Sequence, residues 1–141
     1  KNYGGIQIPN ELIHNGIGFD AMFDLFKYEN YSRHEILNKF VLKPHIIDQT
    51  NEAMLSQIID YENTDRFSVK LLSLSGTYEL PKFDGHYILI TARNDLQLIY
   101  ENGIKHVPQG RGIFVPANVR NLKTKGNGEL VIAYPFPTES N

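Results

Sequence analysis

From residue 62 onward the chain is a succession of short apolar runs cut at close intervals by turn residues, and this punctuation limits the fold more than any other feature. The runs are Phe67, Val69 and Leu71, then Thr77 to Leu80, His86 to Thr91, Leu96 to Tyr100, Ile104 to Val107, Ile113 to Val115, and Leu130 to Tyr134. Ser75-Gly76, Asp84-Gly85, Asn94-Asp95, Asn102-Gly103 and Asn127-Gly128 stand between them. Short strands recurring every 8–12 residues or so predict a mainly β chain, an antiparallel sandwich or barrel. Asn102-Gly103, set between two apolar runs, predicts a hairpin closed by a type I′ turn, in which both central residues take positive φ.

Before residue 50 the pattern differs. Ile6-Gln7-Ile8-Pro9 reads as a short strand and a proline turn, followed by a second apolar stretch, Leu12-Ile13-His14. Gly16 and Gly18 predict a tight loop ahead of the aromatic run Phe19, Met22, Phe23, Phe26 and Tyr28, which is expected to form core and sheet edge. Ser32 with Glu35 three residues on is a capping box, and Ile36, Leu37, Phe40 and Val41 follow at helical spacing until Pro44. This predicts one short α-helix over residues 33–42 with its apolar face on the sheet. Residues 51–61 suit either a helix or a strand, and the strand is the expectation. Residues 5–14 and 112–120 also repeat one another faintly, each a glycine, an apolar strand, a proline and a polar turn, ending in His14 and Arg120.

A length of 141 residues leaves room for little more than one full core. Fourteen basic and sixteen acidic side chains nearly cancel, and the densest basic stretch is only Arg120, Lys123 and Lys125. Nucleic acid is therefore not an expected partner. No apolar run approaches the roughly 18–20 residues of a membrane span, so a membrane is not expected either. The absence of cysteine excludes disulfides and thiolate chemistry and suits a reducing compartment, so the expected location is cytoplasmic.

Among the five histidines no HxH or HxxxH pair occurs, so the sequence displays no self-contained metal site. His34 and His106 read as structural. His14 is the exception, because it follows a strand-proline-turn unit and precedes a glycine loop. Gln109-Gly110-Arg111-Gly112 reads as a turn between strands and not as a phosphate loop, since no helix follows it. No GxSxG motif is present, which leaves nucleophilic hydrolysis without support.

The later residues resemble the C-terminal cupin domain of class I mannose-6-phosphate isomerases. They are Arg66-Phe67-Ser68-Val69-Lys70, Leu71 to Leu74, the Gly76 turn and Gly110-Arg111-Gly112-Ile113-Phe114-Val115-Pro116-Ala117. The strand, proline, turn and Ile13-His14 of the first portion resemble the end of that family's catalytic cupin, and Phe23 to Tyr28 with the Ser32-Arg33-His34-Glu35 helix start resemble the connector after it. The resemblance implies a cupin-type jelly roll over 51–141, preceded over 1–50 by the end of a catalytic cupin and a helical connector. It further implies aldose–ketose isomerisation of a sugar phosphate through an enediol, with zinc as cofactor polarising the carbonyl. By this match His14 is a metal ligand, and Arg33, Arg66, Arg111 and Arg120 are candidates for binding the substrate phosphate.

The departures point the other way. The family's Gln-x-His pair and Glu ligand have no counterpart here, Asp24 stands where its arginine is expected, and Arg120 stands where the terminal cupin's second motif would place a histidine. The chain alone is therefore expected to be inactive and to need an N-terminal catalytic region as its partner. The alternative is a non-catalytic carbohydrate-binding or regulatory cupin.

Overall fold

The computed structural model describes residues 2–136, so Lys1 and the last residues of the expected 51–141 domain lie outside them. The chain divides into two compact units, Lys1–Val41 and Leu42–Asn141.

In the first unit β1 (Asn2–Tyr3) and β2 (Ile6–Gln7) form a hairpin around Gly4 and Gly5. Both glycines hold positive φ, 58° and 87°, which is the backbone a type I′ turn requires. Three helices follow: α1 (Asn10–Ile13), α2 (Phe19–Asp24) and α3 (Arg33–Lys39). The capping box is present, with the Glu35 amide donating to Ser32 Oγ at 3.3 Å and the Ser32 amide donating to Glu35 Oε2 at 2.8 Å. The Ser32 hydroxyl, which also donates to Glu35 Oε2 at 2.7 Å, and the Ser32 amide together hold the Glu35 carboxyl below its usual pKa.

One expectation for this unit is corrected: Phe19, Phe23 and Phe26 are 40%, 49% and 58% exposed and are not core. A chain of this size has too little interior to cover that many large side chains by itself.

In the second unit eight strands pair antiparallel throughout: β3 (His45–Gln49), β4 (Ala53–Ile59), β5 (Phe67–Glu79), β6 (Tyr87–Arg93), β7 (Leu96–Tyr100), β8 (Gly103–Val107), β9 (Gly112–Val115) and β10 (Lys123–Pro135). Residues 51–61 accordingly contain a strand, as expected. The sheet also takes in residues 45–49, whose Asp48 carboxylate accepts a hydrogen bond from the Tyr78 hydroxyl at 2.6 Å.

The frame is the β5–β10 ladder, continuous from Phe67↔Pro135 to Glu79↔Lys123. The other edge of β10 is shared. Glu129–Ala133 pair with β6, whereas Lys123–Gly126 pair with β7. β10 thus passes from one layer, β3-β4-β5-β10-β6-β9, into a second made of the far ends of β5 and β10 with β7 and β8. The two inner faces meet in a core that includes Leu55, Leu72, Leu89, Leu96, Leu130 and Ile132, each at most 2% exposed. This is a jelly-roll sandwich.

The crossing point explains Asn127-Gly128. A Cβ on Gly128 would lie 2.2 Å from the Arg93 carbonyl oxygen, so only glycine lets the two backbones approach where β10 changes layers. The 102–103 hairpin also forms, but its turn is corrected. Tyr100 pairs with Gly103, so Glu101 and Asn102 make the loop, and of Asn102-Gly103 only the glycine has positive φ. Neither residue of the Glu101-Asn102 loop has positive φ, so the turn is not type I′. The repeat of 5–14 in 112–120 corresponds to a shared turn: Leu12 donates to the Pro9 carbonyl at 3.0 Å and Val119 to that of Pro116 at 3.1 Å.

Among the described residues no helix is long and apolar enough to cross a membrane. The corner argument gives the first prediction. Gly128→Ala should destabilise the protein by about 1–3 kcal/mol in urea denaturation. Gly112→Ala, whose added carbon meets nothing within 4 Å, should shift it by less than about 0.5 kcal/mol. Equal effects would remove the special role assigned to the corner.

Candidate functional site

Of the residues singled out by the sequence, His14, Asp24 and Arg33 lie in the first unit and Arg66, Arg111 and Arg120 in the second. His14 follows α1, half-buried, with its ring edge-on to Phe19 at 4.8 Å. Its Nδ1 accepts the Gly18 amide at 3.0 Å, so in the neutral ring the proton resides on Nε2. Both nitrogens are then committed, and ligation at Nε2 would require the tautomer to switch and the Gly18 bond to be given up. No group of three or more His, Cys, Asp or Glu able to hold a metal ion occurs among the described residues. The side chains present do not by themselves fit a zinc site.

Asp24 ends α2 in an exposed position. Arg33 opens α3, Arg66 precedes β5 and pairs with Asp65 at 3.0 Å, Arg111 lies in the turn before β9, and Arg120 stands 3.9 Å from Asp84 in the β9–β10 connection. All four arginines are exposed, and those with ion pairs face different carboxylates. His86 lies against Phe114, and His106 Nε2 is 3.2 Å from Asp95.

The polar groups that do converge lie inside the sandwich, on residues the sequence reading passed over. Strand alternation turns Ser68, Lys70, Leu72 and Leu74 of β5 toward the interior, and the ladders set Gln57 opposite Lys70 and Tyr134 opposite Ser68. Pairing of Ile88 with Ala133 brings Tyr87 beside Tyr134, with ring centroids 5.3 Å apart. Phe83 closes the group at 4.6 Å from Tyr134 and 6.3 Å from Tyr87. Gln57 Nε2 donates to Ser68 Oγ at 2.8 Å, which holds both side chains in place.

Lys70 is the charged member. Its ammonium stands 5.0 Å from the centroid of the Tyr134 ring, on whose face a cation is attracted by the ring quadrupole. Burial pulls its pKa below the ordinary lysine value. No carboxylate among the described residues lies within ion-pair distance of it. Tyr134 is 3% exposed, and among the described residues its hydroxyl has no hydrogen-bond partner. Burial, reinforced by the neighbouring tyrosines, pushes the Tyr134 pKa far upward, and burial also raises that of Tyr87. Both phenols therefore remain neutral donors. A half-buried cation beside a neutral hydroxyl with an unused proton is an arrangement that receives an anion.

The architecture and this interior define a cupin-type jelly roll. No family model and no curated protein matches the sequence. Solved structures do. A mannose 6-phosphate isomerase from Bacillus subtilis is 17% identical with a TM-score of 0.57, over 66% of this chain and 28% of that one. A phosphomannose isomerase variant from Salmonella typhimurium is 15% identical with a TM-score of 0.59, over 79% of this chain and 26% of that one. An RmlC-like cupin from Shewanella frigidimarina is 14% identical with a TM-score of 0.53, over 79% of this chain and 94% of that one. The chain has the cupin fold and is similar in structure to part of these isomerases, spanning well under two thirds of their length.

A buried hydroxyl without a partner costs about 1–3 kcal/mol. Tyr134→Phe should accordingly leave the unliganded protein as stable as before or up to about 1 kcal/mol more stable in urea denaturation. A clear loss of stability would show that the hydroxyl is bonded.

Proposed function

We propose that this chain is part of a mannose-6-phosphate isomerase-like protein and that its cupin unit is a non-catalytic module binding a sugar phosphate. The observation that carries the reading is the half-buried Lys70 beside the unpartnered Tyr134 hydroxyl. In this reading Lys70 neutralises the phosphate, Tyr134 donates its hydroxyl proton to it, and the rings of Tyr87 and Phe83 lie against the apolar face of the sugar. Isomerisation belongs to residues that a further, N-terminal catalytic region supplies, because His14 alone makes no metal site among the described residues. His14 and the four arginines remain proposals of the family resemblance, the first as one ligand of a zinc site completed by that region and the others as phosphate contacts.

The test is a thermal-shift and calorimetric titration of the chain with mannose 6-phosphate, mannose and inorganic phosphate. Mannose 6-phosphate should raise Tm, since a ligand that binds only the folded state stabilises it by about 2.7 kcal/mol at a hundred times Kd. Mannose should do so at least tenfold more weakly, and Lys70→Met should cost the sugar phosphate about tenfold or more in affinity, roughly the 1.5–3 kcal/mol of a charge-assisted hydrogen bond. The affinity should also fall as pH rises. Anion binding needs the protonated ammonium, and the fall should begin at a lower pH than an ordinary lysine would set, because burial lowers the Lys70 pKa. No shift with any of the three compounds would sink the binding reading and leave a purely structural sandwich.

A further inference from the structure

A cavity opens between the layers where β7 and β8 face β9. Its volume is about 150 Å³. Leu98, Tyr100 and Lys105 line it from one layer, and Ile113, Val115 and Val119 from the other. The strand registers explain the set. Leu98 pairs directly with Lys105, and Tyr100 lies two residues along the same face. Lys105 is also in phase with Val107, which is 3% exposed, so its stem follows the inner face while its neighbour His106 turns outward to Asp95. Ile113 and Val119 pack on the core without being fully covered.

The chemistry of this cavity differs from that of the Lys70 row. A water molecule needs about 2–4 polar partners to be held, and this lining is apolar apart from the lysine. Cavities of about 150 Å³ with aliphatic and aromatic walls accept a single six-membered ring. Lys105 is exposed at the rim, and no carboxylate among the described residues lies within ion-pair distance of it. The Tyr100 ring at the margin offers an aromatic surface to whatever enters. An apolar slot of one-ring volume with one cation at its mouth matches a ring that carries its negative charge directly on it.

We propose that this slot is a binding site for a small aromatic carboxylic acid, with the ring between Leu98, Ile113 and Val119 and the carboxylate on the Lys105 ammonium. The proposal is independent of the sugar-phosphate reading, since it shares no residue with the Lys70 row. Benzoate and its neutral analogue benzyl alcohol are the probes, titrated into the ¹⁵N-labelled chain and followed by NMR shift perturbation and calorimetry. Benzoate should bind with Kd on the order of 1 mM, with shifts concentrated at the amides of Leu98, Ile113 and Val119. Benzyl alcohol should bind about tenfold more weakly, the share of one charge-assisted contact.

Lys105→Met should bring the benzoate affinity down to that of benzyl alcohol and leave benzyl alcohol unchanged. Val119→Phe should fill the slot and abolish both, and Ile113→Phe serves the same purpose should the first variant fail to fold. Lys70→Met should leave benzoate binding as it was, which separates a failure here from a failure of the sugar-phosphate site. Absence of benzoate shifts at about twenty times the expected Kd, or binding indifferent to Lys105→Met and to slot filling alike, would overturn the proposal.

Discussion

The second unit hangs on one ladder, the pairing of β5 with β10 along their whole lengths. A 13-residue strand is longer than one layer of so small a sandwich can use, so the pair has to bend and serve both layers. Gly126 to Gly128 supply the bend in β10, and the register shift between Glu129 and Leu130 takes up the change of direction against β6. Every other strand is then assigned to a layer by the half of the ladder it joins. The connection between residues 79 and 123 runs through β6, β7, β8 and β9 and returns beside β5, which makes contacts far apart in sequence the basis of the core. Such a topology gains little until the long pair closes.

Once the ladder is set, alternation decides what faces inward, and this is where apparently costly residues become informative. An inward Lys70 loses hydration, and burying the Tyr134 hydroxyl without a partner forfeits a hydrogen bond. Leucine and phenylalanine at those positions would satisfy the interior on stability grounds alone. Under the sugar-phosphate reading proposed above, this loss of stability is the cost of placing a cation and a phenol where a ligand can use them. Lys105 is different in kind: it lies on β8 at the edge of the second layer, where its ammonium reaches water past an apolar stem.

Much of the fold was legible in the sequence. Asp84-Gly85, Asn94-Asp95 and Asn102-Gly103 fall where one strand gives way to the next, the Ser32–Glu35 box starts a helix, and residues 53–59 form a strand, whereas Ser75-Gly76 and Asn127-Gly128 end nothing and lie inside β5 and β10, opposite one another in the ladder. Lys70 was legible in principle, because it stands in step with Ser68, Leu72 and Leu74 and a period of two puts it on their face. No motif marks it, because a single lysine in phase with leucines has neither a metal-ligand spacing nor a charged neighbour to distinguish it from a solvated side chain. The turn expected at Asn102-Gly103 lies one residue earlier and is not type I′, for a local reason: a dipeptide fixes that a turn occurs, whereas the register of Tyr100 with Gly103 fixes which two residues make it. The aromatic run at 19–28 was misread for a global one. Large apolar side chains become core only if enough chain surrounds them, and hydrophobic content alone carries no information about that.

The two interior features also explain how one small sandwich can present two chemistries without mixing them. Tyr134 lies near the end of β10 that pairs with β5 at Ser68, whereas Leu98 meets β10 at Thr124, on the other side of the Gly126–Gly128 bend. The bend carries the inner face of β10 from the layer that holds Lys70 to the layer that holds Lys105. In the proposed sugar-phosphate reading the charged ligand is met by Lys70 and the Tyr134 hydroxyl, on the face where Gln57 and Ser68 hold one another. An aromatic ring needs the opposite, walls that offer water nothing, which the Leu98, Ile113 and Val119 edge supplies. Leu72, Leu89, Leu130 and Ile132 are fully buried in the apolar core of the same unit. The corner that makes the sandwich fold is therefore also what keeps its two candidate sites chemically separate.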